Sequence, residues 1–336
     1  MEMHSTYRLA VPMALAGFLL SAGSGLSGIV AARGPELARR RLVSSPDTVT
    51  GPSTPATPSA ALDSPFAFPP DDPGLEVDLR RALSKAPFDR LVRRGQLSVS
   101  LVDMSRPDRI AYTGIDDDRM RYAASLPKIG IMLGVFNEID EGNLAYTPEL
   151  RDQLERMIRR SENKVASELI RLVGFERIET VLRDPRWELY DPERNGGLWV
   201  GRGYGSGIGL WRRDPLHSIS HGATSRQVAR FMVMMDRGEL ISPWASSEMK
   251  RIAGHPEIQH KFVLGLQNRA SLIFRKSGTY KNWHADAAIV ERGDVKYVAV
   301  ALVETSQKGV LSKLIVELDD IIARRNPDAE TRLREH

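Results

Sequence analysis

Arg121–Phe136 reads RYAASLPKIGIMLGVF and sets a serine and a lysine three residues apart at the head of an unbroken apolar run. Pro127 suits the first turn of a helix, where a missing N–H removes no bond. The run from Ile129 to Phe136 is apolar on every side, the pattern of a helix buried all round. A lysine at the head of such a helix is costly unless paired or partly neutral, because burial disfavours the ammonium form. Three residues apart on a helix, Ser125 and Lys128 share a face, and a lysine of depressed pKa suits the deprotonation of a serine hydroxyl. The competing reading makes Ser125 an N-cap and lets Lys128 snorkel to water. Spelling alone does not decide, since Ser161 to Lys164 and Ser247 to Lys250 repeat it by accident.

With 336 residues, 42% of them hydrophobic, the chain is long enough to bury a full core. A net charge of +4, with basic residues spread among acids, argues against a nucleic-acid partner or a polybasic membrane patch. Residues 1–32 read as a targeting segment: an uncharged stretch between Arg8 and Arg33 has an apolar centre, then Gly, Ser and Ala, and ends in Val30-Ala31-Ala32. Export is expected, with an uncleaved anchor as the alternative and the membrane contacted only through that segment. There is no cysteine, so disulfides and N-terminal thioether lipidation are excluded, which is compatible with a bacterial periplasm or cell envelope. Residues 33–74, rich in Pro, Ser and Thr without hydrophobic period, read as a tether, and residues 327–336 as a polar tail.

The folded part, 75–326, is expected to be α+β. LEVDLRRALSKAPFDRLVRR has helical spacing, GQLSVSLVDMS alternates like a strand, and RIAYTGI gives a second short strand. SLIFRKSGTY, WHADAAIVERG and KYVAVALVETS supply strands at the far end, followed by a helix from about Ser306 to Arg325. The middle, about 125–255, is mainly helical. Strands from both chain ends bracketing helices predict one antiparallel sheet with flanking helices and an inserted helical subdomain.

Two further stretches bear on Ser125. TPELRDQLERMIRR begins with Thr147 and Pro148 in cap and first-turn positions, and KVASELIRLVG stops at Gly174, so Ser161-Glu162-Asn163 joins two helices. Lys276-Ser277-Gly278 ends a strand before a turn. By themselves these read as a capping turn and a glycine bulge; the order S-x-x-K, S-x-N, K-[ST]-G is much rarer.

On those motifs the chain resembles the class A β-lactamases and related penicillin-binding D,D-peptidases, whose motif trio this is. The resemblance runs from about Leu75 to Arg325 and implies a five-stranded antiparallel sheet beside a helical subdomain, with the active site between them. It further implies a serine hydrolase with no metal or organic cofactor, acting on a small-molecule β-lactam or a peptidoglycan peptide; a monomer is expected. Ser125 would be the acylated nucleophile, Lys128 its base or proton relay, and Ser161 the proton donor to the leaving nitrogen. Asn163 would hold the substrate amide. Lys276 would raise the local positive potential, Ser277 and Thr279 would bind a substrate carboxylate, and Gly278 belongs to the same motif. The oxyanion would sit between the Ser125 and Thr279 amides.

The departures are Glu162 where the family usually has Asp, Ser277 where class A enzymes usually have Thr, and only 36 positions from Ser125 to Ser161. A long segment, Arg183 to Ser220, is studded with Gly, Trp and Arg and is expected to pack as an enlarged loop at the cleft edge. For release of the acyl-enzyme, Glu188 is the best local match to the family's catalytic glutamate and Glu193 the other candidate; an exposed loop acid explains either equally well. Turnover of a β-lactam, D,D-carboxypeptidase or endopeptidase action and non-catalytic cell-wall binding all stay open. His217 and His221, four apart, lack a neighbouring acid, which argues against a metal site.

Overall fold

The far-end strand Val295–Glu304 lies beside the near-end strand Leu97–Asp103, which joins the two ends of the domain into one sheet. The computed structural model describes residues 68–205, 209–269 and 271–327. Its elements begin with helices α1 (Pro73–Leu83) and α2 (Phe88–Arg93), strands β1 (Leu97–Asp103), β2 (Ala111–Ile115) and β3 (Arg121–Tyr122), and helices α3 (Lys128–Asp140), α4 (Pro148–Arg159), α5 (Asn163–Val173) and α6 (Phe175–Leu182). Short strands β4 (Tyr190–Asp191), β5 (Gly196–Gly197), β6 (Trp199–Val200) and β7 (His221–Ala223) follow, then helices α7 (Ser225–Arg237), α8 (Pro243–Ala253) and α9 (Phe262–Leu266). The chain closes with β8 (Leu272–Tyr280), β9 (Trp283–Arg292), β10 (Val295–Glu304) and α10 (Val310–Arg325).

The main sheet is antiparallel in the order β2-β1-β10-β9-β8. It is buried on both faces, so its strands are apolar runs whose alternation sorts residues between two cores. From β10, Tyr297, Ala299 and Ala301 pack with α1 and α10 residues such as Leu79 and Leu314, whereas Val298, Val300 and Leu302 join the core that holds α3 and α7. The expected α+β arrangement, with helices inserted between the two sets of strands, is the observed one.

Helix α3 runs through the second core with every residue from Lys128 to Asn137 buried. Full burial of each of its Ile, Leu, Met, Val and Phe side chains contributes roughly 1.5–3 kcal/mol, which offsets the cost of taking Lys128 with them. Thr147 caps α4, its hydroxyl accepting from the Leu150 amide at 3.2 Å, and α5 stops at Gly174.

The boundaries differ in two places. The fold begins before Leu75: the Phe68 ring meets Tyr112 at 4.6 Å between centroids, and Asp72 caps α1 by accepting from the Leu75 amide at 2.7 Å. Helix α10 begins at Val310 rather than near Ser306, because Gly309 takes a left-handed φ of 76° ahead of it. The targeting segment 1–32, residues 33–67 of the tether and residues 328–336 of the tail lie outside the described residues. Among the described residues no helix is long and apolar enough to cross a membrane.

Candidate active site

Ser125 sits in the turn that leads into α3, half-buried at the wall of a cleft of about 670 Å³. Ala124 before it takes a left-handed φ of 52°, an uncommon and strained conformation for a residue with a β-carbon. The helix N-cap is Pro127, with no side-chain capping bond. Ser125 is therefore not the cap, and its hydroxyl is left to the cleft.

Lys128 does not snorkel: it is wholly buried. Its amine donates to the Ser161 carbonyl at 2.6 Å and to Asn163 Oδ1 at 2.8 Å, with Ser161 Oγ at 3.5 Å. The Tyr204 ring lies over it at 4.6 Å. Burial pushes the Lys128 pKa down to about 7, opposed by the carboxylate of Glu162. That carboxylate is directed at Arg156, at 2.7 Å, so it does not neutralise the amine by contact.

Ser161 follows α4 in a second left-handed turn, φ 59°, which aims its carbonyl at Lys128 and its hydroxyl at Lys276. Lys276, also buried, donates to Ser161 Oγ at 2.9 Å and to its neighbour's Ser277 carbonyl at 2.7 Å. Burial first, and then the charges of Lys128 and Arg275, hold Lys276 well below the usual lysine range. Two amines thus share one hydroxyl, a chain along which protons can move between Lys128, Ser161 and Lys276.

Strand β8 is the sheet edge beside the Ser125 turn. Gly278 packs directly on that turn: a β-carbon there would stand 2.8 Å from the Ser125 nitrogen and 2.9 Å from that of Leu126. Only glycine permits this approach. Thr279, next along, lines the cleft with Ser125 and Asn163. Behind the strand Lys261 donates to the Gly278 carbonyl at 2.5 Å, Thr279 Oγ1 at 2.8 Å and the Ala285 carbonyl at 3.0 Å. The strand is braced further by the buried Arg275–Asp286 pair at 2.7 Å.

The far wall is formed by Arg202 to Gly205 and by Arg213 and Ser218 to His221. Trp199 and Trp211 stack at 6.2 Å, Trp211 stacks on Phe175 at 5.3 Å, and Trp199 Nε1 donates to the Arg212 carbonyl at 3.2 Å. Ser167 of α5 holds Tyr204 by both its amide, at 2.9 Å, and its carbonyl, at 2.8 Å. The described residues of the cleft-edge loop are therefore packed, as the tryptophans lead one to expect. His221 lies under Tyr204, 4.3 Å between ring centroids; its Nε2 donates to the Arg202 carbonyl at 2.9 Å, and burial takes its pKa down to about 4.

The structure thus brings together Ser125, Lys128, Ser161, Asn163, Lys276, Ser277, Gly278 and Thr279. It does not bring Glu188 to them. Glu188 is absent from the cleft lining, its side chain is 54% exposed, and it pairs with Arg230 of α7 at 3.3 Å; Glu193 is exposed as well. Among the described residues that line the cleft there is no carboxylate. Sequence reasoning missed Tyr204, Lys261 and Arg202, and weighed His221 only as a metal ligand.

A family model described as the beta-lactamase enzyme family matches residues 145–325, more than half of the chain. The chain belongs to the beta-lactamase enzyme family. Solved structures agree at the level of the fold. PBP-A has a TM-score of 0.58 at 18% identity, covering 78% of this chain and 100% of its own. A β-lactamase from Sphaerobacter thermophilus has a TM-score of 0.55 at 15% identity, covering 74% and 96%. A PBP-A variant solved as the acyl-enzyme complex with penicillin G has a TM-score of 0.57 at 18% identity, covering 78% and 100%. No match was found among curated proteins. Membership in the beta-lactamase family makes the protein a hydrolase of the β-lactamase-like fold.

Proposed function

We propose that the protein opens the cyclic amide of β-lactams through an acyl-enzyme on Ser125. The Ser125 Oγ–carbonyl carbon bond forms as the ring C–N bond breaks. The hydroxyl proton passes to neutral Lys128 and from there, through Ser161, to the leaving nitrogen. Amides of Ser125 and Thr279 receive the oxyanion, Asn163 orients the substrate amide, and Lys276, which donates to Ser161 Oγ, holds that hydroxyl in line for proton transfer.

The observation that carries this reading is the buried, partly neutral Lys128 at the base of the Ser125 turn, bonded to Ser161 and Asn163. The structural likeness to a PBP-A variant trapped with penicillin G adds support. Mixing the protein with benzylpenicillin and measuring intact mass is expected to give a stoichiometric adduct, absent from Ser125→Ala. A protein that neither gains mass nor hydrolyses the drug is a non-catalytic relative.

A second reading, D,D-peptidase action on peptidoglycan stem peptides by the same acylation, is favoured by the lack of a carboxylate among the described cleft residues. Without one, no side-chain base of the class A kind activates water at the ester. Release of D-alanine from a stem peptide ending in D-Ala-D-Ala distinguishes the two readings. Export to the periplasm or envelope of a bacterium remains a proposal from the sequence, checked by the N-terminus of the mature protein.

A further inference from the structure

The wall of the cleft carries three arginines within the twelve residues 202–213, and the fold treats them differently. Arg212 is committed to structure: it pairs with Glu179 of α6 and lies over Trp211 at 4.4 Å. Arg202 and Arg213 instead line the cleft, both exposed, and neither forms an ion pair with a described residue. Their stretches run side by side, through the bridge of Arg202 to Leu210 and the Trp211 amide donating to the Gly201 carbonyl at 3.0 Å. Arg213 gives one donor to the Ser218 carbonyl at 3.0 Å, which directs the guanidinium and leaves its other donors unused. The adjacent acid, Asp214, is buried and taken up by the Tyr190 hydroxyl and, at 2.6 Å, the His217 amide. Facing the arginines, Tyr122, Tyr280 and Trp283 form an aromatic cluster with centroids 5.7 and 6.3 Å from Tyr122. Two guanidinium forks without counter-ions among the described residues, in a cleft whose described lining holds no carboxylate, fit an anionic group on an apolar or aryl side chain.

We propose that Arg202 and Arg213 form an anion subsite that takes a second carboxylate, on the acyl side chain of the substrate, so that dianionic amides are the preferred substrates. The inference rests on Ser125 as the acylation site, yet the subsite binds whether or not chemistry follows. It is therefore tested in Ser125→Ala, by titrating benzylpenicillin against the same penicillin with a carboxylate on its side-chain α-carbon. Each exposed charge pair is worth a few-fold in affinity, so the dianion is expected to bind about three- to tenfold tighter. The advantage should fall to within about twofold when R202Q and R213Q are added, and should shrink as salt rises from about 50 to about 500 mM. Equal affinities, an advantage that survives in the arginine variants, or no binding of either penicillin overturns the subsite. A charge preference in Ser125→Ala beside a native protein that forms no adduct would sink the acylation reading and leave the subsite standing.

Discussion

Gly278 and Ser125 touch through their backbones: a β-carbon at 278 would lie 2.8 Å from the Ser125 nitrogen, and closer still to the carbonyl oxygen of Ala123. The edge of the sheet and the turn that carries the serine are held at one fixed spacing. Gly278→Ala must force them apart, displacing one amide of the proposed oxyanion site from the other. Loss of one such donor typically costs about 100-fold in rate or more, so acylation is expected to fall by at least about 100-fold while the melting temperature drops by only a few degrees. Unchanged acylation would show that the two amides do not act together.

The depressed pKa of Lys128 fixes the direction of a pH profile. Only the neutral amine accepts a proton, so the rate of acylation should rise with pH through about 7. Glu162 raises that pKa, and Glu162→Gln should move the rise to lower pH. A profile unmoved by this change would detach the titration from Lys128. Stability follows the same sign. The folded value lies below the ordinary 10.5, so the unfolded chain holds the extra proton between about pH 7 and 10.5 and stability increases across that window. Lys128→Met should flatten this part of the denaturation profile and abolish acylation.

Lys276 shares the Ser161 hydroxyl with Lys128. Lys276→Ala is expected to slow acylation by about tenfold or more. Lys276→Arg should keep part of the rate because a donor to Ser161 remains, although the enclosed site is shaped for an amine and not a fork. Stopped-flow measurement of adduct formation gives all three rates, and their equality would remove Lys276 from the reaction.

On a chromogenic cephalosporin the expected progress curve is a burst of one product per protein followed by slow turnover. Because Glu188 is engaged with Arg230 outside the cleft, Glu188→Gln and Glu193→Gln should leave the slow phase within about twofold. Fast turnover in the parent, with acyl-enzyme trapped in Glu188→Gln, would identify Glu188 as the deacylation base after all.

Asp286 receives two bonds from Arg275, at 2.7 and 2.9 Å, and one from the Phe262 amide at 3.0 Å, all buried. Breaking a buried pair from one side leaves an uncompensated charge, so Asp286→Asn is expected to cost about 3–5 kcal/mol in chemical denaturation. Removing Arg275 as well, as Met, should restore part of that loss.

Much of this site was legible in the sequence because its chemistry is local. Ser125 and Lys128 are one helical turn apart, Ser161 and Asn163 share one connection, and Lys276 to Thr279 share one strand end, so spacing carries the information. Tyr204, Lys261 and Arg202 are invisible at that level: each reaches the site by tertiary packing from stretches with no period, and nothing adjacent to them in sequence marks chemistry. Glu188 shows the converse. Its position along the chain suggested a catalytic acid, but the segment around it folds toward α7, where Arg230 donates to the Trp187 carbonyl at 2.6 Å. Phe68 was read as tether because two phenylalanines, Phe66 and Phe68, among prolines give no hydrophobic period; the partner of Phe68, Tyr112, lies 44 positions away.

The stacked Phe175, Trp211 and Trp199 rings, with Ser167 gripping Tyr204 at both backbone atoms, brace the described part of the outer wall of the cleft from behind. A wall braced in this way is expected to act as a jaw, sorting side chains by size at the threshold before any bond to the serine is made.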